Sequence, residues 1–182
     1  MSVMTRRALL RGSAGLIGGA SLLGAGSAAM VGCASGPPAQ EVPLGNVHPL
    51  TGIVDFDGVA LPLPPILGSV TLLDFWASWC GPCRQAFPHL DQLFRTYQGD
   101  GLKVLGISVD DDPKAARRFW ASMRPRFPVA WDESGMVRER FKVQSLPTTM
   151  LFDADGMIVQ RNEGFDPADH RLLEEHVHRL VR

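Results

Sequence analysis

A chain of 182 residues has room for one compact domain plus an appendage. Its composition, 45% hydrophobic and 20% charged with a net charge of −1, is that of an ordinary globular protein. The balance excludes the basic footprint of a nucleic-acid binder and the solvating acidic tail of a disordered chain.

The charge is unevenly placed. Arg6, Arg7 and Arg11 lie in residues 1–32, which contain no acid, and an uncharged Gly/Ala-rich run follows over 12–32. Length alone admits a membrane-spanning anchor. The order basic, apolar, small fits a removable export signal better. The Arg6-Arg7 pair in "TRRALLR" resembles a bacterial twin-arginine signal. The end "AMVGC" resembles a lipoprotein cleavage site, with Cys33 as the lipid-modified residue and Met30 where that class usually carries Leu. An ordinary signal peptidase site near Ala28-Ala29 is the alternative. Either way the domain is expected outside the cytoplasm, at the bacterial envelope. Residues 33–46 are rich in Pro, Gly and small side chains without periodicity, and are expected to form a tether. Residues 47–182 are left for the domain.

In chain order, "GIVDFDGVALPL" predicts two short strands around an Asp57-Gly58 turn. "SVTLLDFWAS" is a nearly continuous apolar run, as in a strand buried on both faces. "CRQAFPHLDQLFRTYQ" has helical apolar spacing, with Pro88 expected to kink it. "LKVLGISVD" predicts a second buried strand. Asp112-Pro113 reads as N-cap and first residue of a helix over "PKAARRFWASM". A strand in "FPVAW", a short helix in "SGMVRERF" and a hairpin turning at Asp155-Gly156 come next. The amphipathic "PADHRLLEEHVHRLV" closes the chain. Alternating strands and helices ending in a hairpin predict an α/β fold, a mixed sheet covered on both faces.

The chemistry concentrates in "DFWASWCGPCR". Cys80 and Cys83 form a C-x-x-C pair with three uses to weigh. Zinc wants four ligands and there is no second pair. His176 and His178 face different sides of a helix, and His48, His89 and His170 lie in no motif, so all five histidines are expected at the surface or behind other groups. No metal site is expected. A structural disulfide closing so short a loop would add little stability. A redox role fits best. Cys80 at a helix N-terminus gains from the peptide dipoles and free N–H groups that favour a thiolate, while Cys83 lies one turn further on and is shielded. Cys80 then attacks a substrate disulfide and Cys83 resolves the mixed disulfide. Gly81-Pro82 keeps the loop tight.

Asp74 sits mid-strand in an apolar run, where burial would raise its pKa and make it a proton acceptor for Cys83. A merely hydrogen-bonded or edge-facing Asp is the alternative. In "SLPTT", Pro147 falls at a strand start, and a cis Leu146-Pro147 bond there would expose a backbone edge for an extended peptide beside Cys80. "DDD" at 110–112 reads as a strand end plus helix cap. Trp120 and Trp131 read as core or groove lining, and Arg117, Arg118, Arg124 and Arg126 as a solvated face.

"DFWASWCGPC", Pro88 and "SLPTTMLFDADG" together resemble the thioredoxin superfamily over about 45–182. The long interval from Cys80 to Pro147, with its insertion around "WASMRPRFPVAWDESGMVRERFKVQS", and the N-terminal hairpin resemble the TlpA/ResA-like thiol–disulfide oxidoreductases. The resemblance implies a thioredoxin fold with an N-terminal β-hairpin and a central insertion. It implies roles as well: Cys80 as nucleophile, Cys83 as resolving cysteine, Asp74 as buried acid and Pro147 as cis-proline. Trp79, Gly81, Pro82 and Leu146 would contact substrate. It further implies an exported or membrane-anchored reductase of envelope protein disulfides, often in cytochrome c maturation. Many such proteins carry Glu where this chain has Ala86, which weakens that specialisation. Peroxiredoxins, related as well, need Thr and Pro at the positions of Ala77 and Leu73, so peroxidase activity is not expected. No Gly-rich nucleotide fingerprint follows a strand, so the expected cofactor is none beyond the redox-active Cys80-Cys83 pair. Electrons would then come from a membrane thiol donor. An oxidant or isomerase on the same fold, or a non-enzymatic redox latch, are the alternative readings.

Overall fold

The computed structural model describes residues 40–41, 49–61, 64 and 67–182, all within one compact unit, Pro37–Arg182. Arg6, Arg7 and Cys33 of the expected leader, and His48, lie outside the described residues. In chain order the elements are β1 (Gln40–Glu41), β2 (Thr71–Trp76), α1 (Gly81–Tyr97), a 3-10 turn (Gln98–Asp100), β3 (Lys103–Ser108) and α2 (Pro113–Met123). Then follow β4 (Val129–Trp131), α3 (Met136–Arg140), β5 (Thr148–Phe152), β6 (Met157–Glu163) and α4 (Pro167–Leu180).

Every residue of β2 is buried, as its unbroken apolar run requires. It is the strand on which the mixed six-stranded sheet, order β1-β6-β5-β2-β3-β4, is built. β3 pairs with it in parallel and β5 in antiparallel register. The parallel steps β2-α1-β3 and β3-α2-β4 advance in one direction across the sheet, so right-handed crossovers put α1 and α2 on the same face. There Leu72 and Trp76 meet Phe87 and Leu90 of α1, Phe119 of α2 and Leu173 and Val177 of α4. Trp76, Phe87 and Phe119 pack as a ring trio at centroid distances of 5.2 to 5.4 Å. Leu73 and Phe75 point the other way, against Leu50 and Ile53 of the N-terminal loop and Val137 and Phe141 at α3. Both faces are thereby covered, in a thioredoxin-like arrangement.

The three long helices start alike, each with one proline at its first or second position. Asp112 caps α2 by accepting the Lys114 N–H, and Asp166 caps α4 by accepting that of Ala168. α1 runs from Gly81 to Tyr97 in one piece through Pro88. The inserted segment supplies β4, which extends the sheet beside β3, and α3, which covers the opposite face.

Four local expectations need correcting. The N-terminal hairpin amounts to one bridge, Val54 to Ala60, around a turn in which Asp55 Oδ1 accepts the N–H groups of Asp57 and Val59. A longer ladder would run into a proline-rich sequence that lacks N–H donors. Gln40–Glu41, assigned to the tether, pairs antiparallel with the start of β6. His170 is buried, against the Phe165 ring and His89, because it shares the inward stripe of α4 with Leu173 and Val177. Asp110 is more than a strand end: it is 5% exposed and heavily bonded.

Candidate active site

The site forms where β2 ends and α1 begins. After Trp76 the chain crosses Ala77, Ser78 and Trp79 and arrives at Cys80, which is the N-cap of α1. A cap residue has extended backbone, and Cys80 does, with φ −83° and ψ 106°. Its sulfur accepts the Cys83 N–H at 3.1 Å, taking the place an Asp or Ser oxygen takes in other caps. The two cysteines are joined as a disulfide, with Cα atoms 5.3 Å apart. Cys80 keeps 5% of its surface and Cys83 none, so exchange with a partner can start only at Cys80. Sulfur at this position faces the unpaired N–H groups and positive dipole end of a 17-residue helix, which favours its thiolate.

Around the disulfide the rim is uneven. Trp79 is 70% exposed, and Gly81 and Pro82 are exposed beside it. From the start of β5 come half-buried Leu146 and buried Pro147, joined by a cis peptide bond. The Gly164 N–H donates to the Pro147 carbonyl at 2.7 Å and the Thr148 hydroxyl to that of Ser145 at 2.7 Å, fixing this edge. Arg84 lies on the outer side of α1 with its guanidinium over the Phe119 ring.

Beneath, Asp74 lies in the middle of β2 with none of its surface exposed, on the face it shares with Leu72, Trp76 and the α1 layer. Desolvation pushes its carboxyl up to about 7, against a smaller lowering by the Thr149 hydroxyl, which donates to Oδ1 at 2.9 Å. A carboxyl at that value exchanges protons near neutrality, as a general acid–base must. Ala86 is fully buried in the apolar layer and brings no carboxylate to the site.

Sequence reasoning missed Asp110. Its carboxylate accepts from the Ser78 backbone N–H, the Ser78 hydroxyl and the Ser108 hydroxyl, and its carbonyl accepts the Trp131 indole N–H at 2.7 Å. The segment immediately before Cys80 is thus bolted to the end of β3 and to the inserted strand β4. A run of three aspartates gives no sign of this, since the contact exists only once β2 and β3 lie side by side. Among the described residues, no group of three or more His, Cys, Asp or Glu side chains could hold a metal ion. No helix among them is long and apolar enough to cross a membrane.

A fully buried cysteine behind one that keeps 5% of its surface, disulfide-bonded at the start of a helix that packs on a strand carrying a buried acid, defines a thioredoxin-fold thiol–disulfide oxidoreductase. The chain belongs to the AhpC/TSA family, which it matches over residues 44–161. It is 28% identical over 142 residues to the thiol-disulfide oxidoreductase ResA of Bacillus thuringiensis subsp. konkukian, across 78% of this chain and 81% of ResA. ResA of Bacillus subtilis is 27% identical over 121 residues, 66% of this chain and 68% of the relative. A candidate thiol:disulfide interchange protein DsbE from Chlorobium tepidum superposes with a TM-score of 0.61 at 38% identity, covering 64% of this chain and 83% of DsbE. A secreted disulfide oxidoreductase of Mycobacterium tuberculosis shares the fold, with a TM-score of 0.59 at 21% identity over 70% of this chain and 94% of its own.

Proposed function

We propose that the protein is a reductase of disulfides in envelope proteins, held at the membrane through a lipid on Cys33 or through its leader. The Cys80 thiolate attacks a client disulfide, and the departing client sulfur leaves as a thiolate. Cys83 then gives its proton to Asp74 and attacks the Cys80 sulfur, releasing the second client sulfur and forming the Cys80-Cys83 disulfide. Two electrons pass to the client, and a membrane thiol donor restores the dithiol. Trp79, Gly81, Pro82, Leu146 and Pro147 form the surface on which the client strand lies. The observation that carries this reading is the burial of Cys83 behind Cys80 at the start of α1. Ala86 favours general envelope clients over dedicated cytochrome c maturation.

The test is the reduction potential of the pair, equilibrated against glutathione or dithiothreitol, together with trapping. A value near thioredoxin's, about −270 mV, supports a reductant, and one near DsbA's, about −120 mV, replaces it with an oxidant. Cys83→Ser is expected to retain clients as mixed disulfides on Cys80, and Cys80→Ser to lose insulin reduction. If Cys80→Ser keeps activity, the assignment of roles is wrong.

A further inference from the structure

The two oxygens of Asp74 are not equivalent. On the β3 side its register partner is Gly106, which has no side chain to offer, and on the β5 side it is Thr149. The Thr149 hydroxyl donates to Oδ1 at 2.9 Å, and Thr149 is itself only 2% exposed. Oδ2 is buried and has no partner among the described residues. A β-branched threonine in a central strand has little freedom at χ1, so the direction of its hydroxyl is set by the strand rather than by the acid.

We propose that Thr149 is the positioning residue of the resolving step: by holding Oδ1 it turns Oδ2 toward the α1 layer as the atom that takes the Cys83 proton. The inference rests on the reading of Asp74 as the proton acceptor. In the balanced step the Cys83 S–H bond breaks and an O–H bond forms at Oδ2. The Cys83 electron pair forms the new S–S bond, and the client sulfur leaves with the pair of the bond that breaks. Thr149 neither gains nor loses a proton. It keeps the carboxylate from rotating, and its donated hydrogen bond makes the anion less costly in a dry site.

The surroundings leave few competitors for this control. From the start of α1 the buried titratable groups are Cys83 and Cys80, while Arg84 lies outward over the Phe119 ring. From α4 the inward titratable group is His170, which packs on Phe165 and on His89 of α1. At the end of β3, Asp110 is engaged with Ser78 and Ser108. α2 presents Ala116 and Phe119 to this layer and no charge.

The experiment is the pH profile of the resolving phase, separated from the attack phase, in single-turnover insulin reduction by the full, reduced protein, with wild type, Thr149→Val, Thr149→Ser and Asp74→Asn compared. Wild type is expected to show an ionisation that Asp74→Asn removes. Thr149→Val, equal in shape but without the donor, is expected to move that ionisation up by about one pH unit, the worth of one buried hydrogen bond. It should also slow the resolving phase below its midpoint, while Thr149→Ser stays near wild type. Should valine prevent folding, Thr149→Ala carries the same expectation. An ionisation that vanishes in Asp74→Asn yet stays in place in the Val or Ala variant overturns the role of Thr149 and leaves Asp74 standing. An ionisation of the resolving phase near neutrality that survives Asp74→Asn overturns both; the ionisation of the Cys80 thiol belongs to the attack phase and is read there. A Ser variant that shifts as far as Val also overturns the inference, since the hydroxyl would then not be the cause.

Discussion

Asp110 is a carboxylate spent on geometry. Its oxygens receive the Ser78 N–H at 2.9 and 3.1 Å, two residues before Cys80. Asp110→Ala strands that N–H and is expected to lower stability in urea by about 1–3 kcal/mol, the cost of a buried unpaired polar group. Insulin reduction should slow in the same variant, because Cys80 loses its anchor to β3; unchanged turnover would show that the segment holds itself. Residues such as Cys80, Cys83 and Asp74 are legible in the sequence because each breaks a local rule: a C-x-x-C spacing, an acid in an apolar strand. Asp110 and Thr149 break none. Aspartate after a strand and threonine within one are ordinary, and their partners lie 32 and 75 positions away.

Elements whose ends are written by local chemistry were readable. Asp112 followed by Pro113 marks the start of α2, and the cap hydrogen bond to Lys114 at 2.9 Å is its cause. Asp112→Ala should therefore lower stability in urea unfolding by about 1 kcal/mol without changing turnover. A loss of activity at constant stability would mean that α2 does more than pack. The turn closing β5 to β6 was equally plain, from Asp155-Gly156. Elements defined by long-range pairing were not. β1 is two residues long and exists only through β6, and the expected N-terminal hairpin is reduced to a single bridge that also leans on Trp131. Helix capping is a property of four neighbouring residues, whereas an edge pairing is decided by what the rest of the sheet leaves open.

On the scale of the whole molecule, two buried groups pull the pH dependence of stability in opposite directions. Asp74 has its carboxyl raised from 3.8 to about 7 by burial. Between those values the folded, oxidised protein holds a proton that the unfolded chain has released, so stability falls as pH rises. His170 is lowered from 6.5 to about 4, chiefly by burial and next by His89. Between those values the unfolded chain is the one carrying the extra proton, and stability rises with pH. The two slopes offset each other from about pH 4 to 6.5. Asp74→Asn should uncover the rising slope of His170. His170→Phe should uncover the falling slope of Asp74, extending to about pH 7. Urea midpoints at a series of pH values decide it, and variants that keep the wild-type profile would refute the assignment. The uneven rim of the site has a consequence of an optical kind. Of the four tryptophans, Trp76 is wholly enclosed and Trp120 and Trp131 are half-covered. Trp79 alone stands 70% in water. The molecule thus carries its own fluorescent indicator at the mouth of the disulfide, one whose surroundings dry out when anything settles over Cys80.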